Sequence, residues 1–208
     1  MQSVESDVDS QESEICKLLY EASEIEKRLS DWHANLPASW GPVKVSGGSC
    51  ISASIQQAGL YQHYCHIYPS LPVSKTWNKY RLAQIRIHLG MLNLLCQFPS
   101  LSTTANEISA HRNQIQQEAD DICACVPYHI GDRNSPSFIG DRRASYPYLA
   151  GVPTPSEHYL HASAIGGYQL FNPLTALVSM ALPLREGQRE WISGQIIRVF
   201  RIYNIVRS

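Results

Sequence analysis

The chain has 208 residues, 17% of them charged, with a formal net charge of -1. That length allows one domain with a substantial core. The charge balance excludes a nucleic-acid binder working by bulk basicity, and no apolar run reaches the roughly 18 residues needed to cross a bilayer.

Residues 1–10 read as an acidic, flexible leader without the features of a signal or transit peptide. Nine of the eighteen acids fall within residues 1–31, and none lies between Trp32 and Asn106. Residues 11–36 predict an amphipathic helix. Ile15, Leu18, Ala22, Ile25, Leu29, Trp32 and Leu36 recur at steps of three and four, and Pro37 stops the pattern. The stripe runs for about three heptad-like repeats, near the lower limit for a coiled coil, so packing on the rest of the chain and homodimerisation through this helix account for it equally well. The Gly-, Pro- and Ser-rich run 37–50 reads as loop. A short helix or turn follows and ends before Pro69.

The longest helix is expected at 75–98. One apolar stripe runs through Asn78, Leu82, Ile85, Leu89, Leu92 and Cys96, and a second through Tyr80, Ala83, Ile87, Met91, Leu94 and Phe98. Two stripes on different faces mark a central helix. Another helix is expected at 105–126, closing near Pro127 because a residue preceding proline is driven out of the helical region. Residues 131–158 form a long Gly- and Pro-punctuated loop, a length that is usually functional or mobile. Helices resume at about 158–182 and at 186–206, the last with Ile192, Ile196, Val199, Tyr203 and Val206 in register. No convincing alternating strand stands out. The expected fold is all-α: stacked or bundled helices in a single domain, 11–208, with one long internal loop at about 131–158.

Six cysteines at scattered positions, with no C-x-x-C, suggest reduced thiols rather than a disulfide framework. In "DDICACVPYHIG" (120–131), Cys123, Cys125 and His129 are candidate metal ligands. On a regular helix, however, residues two apart point about 200° from each other, and zinc would need two further ligands from elsewhere. Small buried side chains at a helix end are the simpler expectation, so no metal or cofactor is assigned. "HYCH" (63–66) and "HYLH" (158–161) lack the accompanying Glu of a metalloprotease motif. "SGGS" and "IGGY" lack the spacing and the Lys of a phosphate-cradling loop, and there is no nucleophile elbow. No residue is assigned a catalytic role, and the chain is expected not to be an enzyme. An effector cleft is the remaining candidate site, placed where the 75–98 and 163–182 helices meet under the 131–158 loop and lined by Trp77, Tyr80, Tyr168 and Phe171.

Four phrases occur in a telling order: "DWHANLPASW" (31–40), "WNKYRLAQIRI" (77–87), "ADDICACVPYHIG" (119–131) and "SAIGGYQLFNPL" (163–174). Together they resemble the C-terminal regulatory region of fungal-specific zinc binuclear cluster transcription factors. The resemblance covers the chain from about residue 12 onward. It implies an all-helical, nuclear, transcription-regulatory domain, often controlling metabolic or secondary-metabolite genes, that acts through protein partners of the transcription machinery, a homodimer or a small-molecule effector. The family's DNA-reading module holds two zinc ions with six cysteines beginning C-x-x-C, and that spacing is missing here. No direct sequence-specific DNA binding by this chain is therefore expected. The family phrase tends to carry serine where this chain has Cys125, so the position asks for a small side chain. The alternative reading is a stand-alone helical protein that binds or transforms a small molecule.

Overall fold

The computed structural model describes residues 2–98 and 105–204, and the side chains of residues 11–98 and 106–204. The elements run α1 (Gln2–Ala34), β1 (Val43–Ser46), α2 (Ala53–Gln57), β2 (Tyr64–Ile67), α3 (Leu71–Gln97), α4 (Ala105–Ala124), α5 (Val126–Ile130), α6 (Ser156–His161), α7 (Gly167–Ser179) and α8 (Gln188–Ile202). The fold is predominantly α, as the periodicities predict. Among the described residues no helix is long and apolar enough to cross a membrane.

α3 is the axis of the molecule. Ser70 caps it, its hydroxyl accepting from the Val73 amide, and Pro72 occupies the first turn, where a missing N–H costs nothing. The helix therefore starts four residues earlier than the expected 75. α4 runs antiparallel beside it, since Asn78, Arg81 and His88 of α3 meet Cys125, Asp121 and His111 in reverse order. α1 lies antiparallel on another face, where Trp32 and Glu26 meet Tyr80 and His88. α7 and α8 form a third antiparallel pair through Tyr168–Tyr203 and Phe171–Phe200. One continuous core joins α3, α4, α5, α7 and α8, and Ile85, Ile115, Ile122, Leu170, Leu174 and Ile192 are completely buried in it.

Several expectations are corrected. The acidic residues read as a leader continue helix α1, which begins at Gln2. Two strands exist where none was expected: β1 and β2 pair antiparallel, Val43 opposite Ile67 and Ser46 opposite Tyr64. They close over a small separate cluster of Val45, Ile51, Ile55 and Cys65. Each strand has only four residues, and Tyr64, Cys65 and His66 are buried in succession, so β2 shows no in–out alternation to read. Pro127 opens a helix rather than closing one. α4 ends at Ala124, and Pro127 sits in the first turn of α5. Val206 of the last expected helix lies outside the described residues.

The long loop, 131–155 in the structure, is tied down at its base. The Asp132 amide donates to the Ser145 carbonyl at 3.1 Å, and the Ser145 amide returns a bond to the Asp132 carboxylate at 2.8 Å. Gly131 enters this clamp at φ +56, and a Cβ there would lie 2.2 Å from the Ser145 oxygen. Arg198 of α8 donates to the Gly131 and Arg133 carbonyls at 2.6 and 2.8 Å. Tyr146 and Pro147 are buried further along.

Candidate functional site

The candidate metal ligands are neighbours in sequence but not at a common point in space. The Cys125 thiol donates to the Ile122 carbonyl at 3.0 Å and accepts from the Asn78 amide at 3.2 Å. Cys123 turns elsewhere and accepts from Gln188 at 3.7 Å. His129 reaches a third place, with Nε2 2.7 Å from the Ser74 hydroxyl and Nδ1 3.2 Å from the Gly166 carbonyl. A carbonyl only accepts, so Nδ1 carries the proton and Nε2 accepts from Ser74. Burial pushes the Cys125 thiol up to about 11 and Cys123 well above the ordinary thiol range. Burial also pushes His129 down to about 3. The thiols are thus protonated and the imidazole neutral, each spent on a structural bond. Among the described residues no group of three or more His, Cys, Asp or Glu side chains is placed to hold a metal ion.

Around this stretch lies a buried polar seam. Arg81, almost wholly buried, donates to the Tyr68 hydroxyl at 2.7 Å and to Asn78 Oδ1 at 3.2 Å. It also stands 3.9 Å from Glu118 and 3.8 Å from Asp121. Burial raises the Glu118 carboxyl to about 7 against the opposing pull of Arg81. Beside it, Asp120 accepts from Arg185 at 2.9 Å and from Gln188 at 3.1 Å. The glycines of "SAIGGYQLFNPL" are packing positions. The backbone passes through a π-helical turn, Ala162–Gly166, and a Cβ on Gly166 would lie 2.0 Å from the His129 carbonyl oxygen. The next amide, of Gly167, donates to the Tyr203 hydroxyl at 2.9 Å. Side chains of the second and third phrases therefore interlock, and the fourth joins them through the Gly166 carbonyl, so the loop-like "IGGY" is part of a helix contact.

The four aromatics expected to line one cleft separate into two groups. Trp77 and Tyr80 face α1: the Trp77 indole donates to the Trp40 carbonyl at 2.8 Å, and Tyr80 stacks within 5.4 Å of Trp32. Tyr168 and Phe171 turn toward α8, with ring centroids 4.6 Å from Tyr203 and 5.4 Å from Phe200. α3 and α7 do meet along an open groove of about 310 Å³. Of the four aromatics Tyr168 alone borders it, beside Lys75, Lys79 and Gln169, and the long loop does not cover it.

A second cavity, of about 320 Å³, borders Tyr128 of α5. Its floor is the β2–α3 junction, with Ile67 and Leu71, together with Tyr128. Its outer wall is the proline-rich part of the long loop, including Leu149, Val152 and Pro153, and α6 supplies Glu157, His158 and His161. The Tyr128 hydroxyl is committed to the Tyr68 carbonyl at 2.9 Å. His158 packs between Tyr128 and Tyr146 at centroid distances of 4.4 and 4.8 Å, and its Nε2 has no hydrogen-bond partner. Burial pushes it down to about 4, so the imidazole is neutral near pH 7. At the rim, Glu157 and the exposed His161 stand 3.8 Å apart. The sequence signals that mark this wall are the closely spaced Pro147, Pro153 and Pro155 and the "HYLH" pair. Nothing in one dimension places Ile67 and Leu71 opposite them. No family model, curated protein or solved structure matches the chain.

Proposed function

We propose that the chain is a helical regulatory domain of the fungal zinc-cluster transcription-factor type, working in the nucleus through protein partners, and that a small, largely apolar effector enters the cavity behind the proline-rich loop. The regulatory reading rests on the four ordered phrases; side chains of the second and third, Asn78, Arg81, Asp121 and Cys125, meet in one buried seam. Residues such as Asn78, Arg81 and Cys125 then matter for holding helices together, and they are not reagents.

The observation that carries the effector reading is the cavity itself. At about 320 Å³ it falls in the lower part of the range of about 300–1,000 Å³ typical of small-molecule sites. Its walls are mainly aliphatic and aromatic, with Glu157 and His161 at the rim. An effector with a largely apolar body fits these features. Such a ligand would bridge the loop, α5 and the start of α3, coupling occupancy to the packing of the seam.

The test fuses the chain to a heterologous DNA-binding module and reads a reporter in yeast while metabolites are supplied. Ligands are ranked in parallel by thermal shift on the purified chain. The expected result is a reporter response and a thermal stabilisation that Val152→Trp, which fills the cavity, removes together. A reporter that responds to no metabolite, with no ligand raising the melting temperature, would remove the effector reading. Activation independent of every ligand would keep the regulatory reading alone. Turnover of a bound ligand would favour the stand-alone enzyme.

A further inference from the structure

The contact between α3 and α4 changes chemistry along its length. Seven residues after Arg81 on α3 stands His88, and seven residues before Glu118 on α4 stands His111. The antiparallel packing brings the two histidines together just as it brings Arg81 to Glu118. Both imidazoles are more than nine-tenths buried, and their Nδ1 atoms lie 2.9 Å apart. One ring donates across that distance and the other offers a lone pair. The Nε2 atoms of both rings are buried without a hydrogen-bond partner, that of His88 standing 3.5 Å from the Glu26 carboxylate of α1. One turn earlier on α3, Gln84 Oε1 is also buried and unpartnered. Buried polar atoms ordinarily find partners, and three that lack them fall along this stretch.

We propose that His88 and His111 bind a divalent transition-metal ion of the copper(II) or nickel(II) kind through their Nδ1 atoms, with Glu26 as a positioning residue. Two metal–nitrogen bonds of about 2.0–2.1 Å at a right angle span about 2.9 Å. Right angles are the geometry of copper(II) and nickel(II) sites with nitrogen and oxygen ligands, whereas imidazoles around tetrahedral zinc would stand about 0.4 Å further apart. The ring that carries Nδ1–H shifts this proton to its own Nε2, so both rings stay neutral and no proton is released. His88 then donates its Nε2–H to Glu26, the outer carboxylate that fixes a metal-bound imidazole and raises its basicity. Glu26 is partly exposed, so the ion enters beside α1 and water completes its coordination. The bound ion ties α3 to α4 and, through Glu26, to α1.

Equilibrium dialysis of the purified, untagged chain against copper(II), with metal analysis and electron paramagnetic resonance, tests the site. The expected result is one ion per chain whose spectrum shows splitting from two imidazole nitrogens. His88→Gln and His111→Gln should each weaken binding at least a hundredfold. Glu26→Gln should weaken it about ten- to a hundredfold, with an unchanged helical circular dichroism spectrum. Nickel(II) should raise the melting temperature more than zinc(II) does. No bound ion, a wild-type spectrum with fewer than two imidazole nitrogens, or binding that survives the histidine substitutions would each overturn the proposal. The wild-type spectrum decides the matter even if a histidine variant misfolds, and greater stabilisation by zinc(II) would overturn the right-angle geometry.

Discussion

α1 and α3 carry the same three-and-four apolar spacing, yet the structure uses them in opposite ways. α3 is covered by α1, α4 and α7, and its polar residues Ser74, Asn78, Arg81 and His88 are buried with it. α1 rests on α3 along one face only, with Ile15 buried there while Leu18, Ile25 and Trp32 at the edge of that face stay half exposed, Trp32 against Tyr80. The difference shows what periodicity does and does not report. It marks which residues share a face, while the number of neighbours decides how many faces are covered. A buried face then needs its polar groups matched one by one, whereas an open face keeps its charges in water, available for exchange with a partner.

Breaking the α3 side should have the largest effect. Arg81→Met removes the cation standing between Glu118 and Asp121 and leaves those carboxylates beside an apolar side chain. Removing one member of a buried ionic group costs about 3–5 kcal/mol, so the urea midpoint should fall sharply. A midpoint close to wild type would mean that solvent reaches the seam.

The buried imidazoles make the same interior sensitive to acid. His66 and His129 are pushed down to about 3, and His158 to about 4, chiefly by burial. An unfolded histidine titrates at about 6.5, so below that pH the unfolded chain binds more protons than the folded one. The stability they contribute is complete above about pH 6.5 and is lost as pH falls toward the folded values. Glu118 runs the other way. Its raised value of about 7 lets the folded chain hold the extra proton, so its contribution declines as pH rises from about 4.5 to about 7. Burial likewise lowers His88 and raises Asp121, so four imidazoles stand against two carboxyls. Lowering the pH from about 7 to about 5 should lower the stability, and Glu118→Gln should steepen the loss. Urea titrations at the two pH values check both statements.

Gly166→Ala tests the contact between the π-helical turn and α5. The added methyl would collide with the His129 backbone carbonyl, and a cost of about 1–3 kcal/mol is expected, read as a lowered melting temperature. At the bottom of the scale is Leu18→Ala on α1. A half-exposed position of this kind changes the stability of the chain by no more than about 0.5 kcal/mol. A larger loss would show that α1 has a second intramolecular contact.

The long helices were legible because α3, α4 and α8 present apolar residues at helical spacing over many turns. β1 and β2 were not, because four residues are too few for a period to show, and β2 is buried on both faces. The break between α4 and α5 was hidden by the two meanings of proline, which stops one helix and starts another. Of the candidate residues, helix angle bore on Cys123 and Cys125 alone; their thiols do point apart, although α4 ends between them, and His129 was placed by no such argument. The aromatic cleft failed for a related reason. Trp77 and Tyr80 share one face of α3, but that face looks toward α1, and nothing in the sequence says which neighbour a face will meet. The cavity beside α5 draws on β2, α5, α6 and the loop, so its assembly depends on tertiary contacts throughout.

The clamp between Asp132 and Ser145 bears on how the chain would respond to being cut. It closes the excursion between them into a lariat whose tip carries the exposed Phe138 and Ile139. A protease that cleaves after Phe138 severs the chain without touching the clamp or the helices on either side. The two pieces would remain a noncovalent pair, because α3 and α4 on one piece share a core with α7 and α8 on the other. The tip is thus a natural point for splitting the protein into complementing halves, or for inserting a reporter domain.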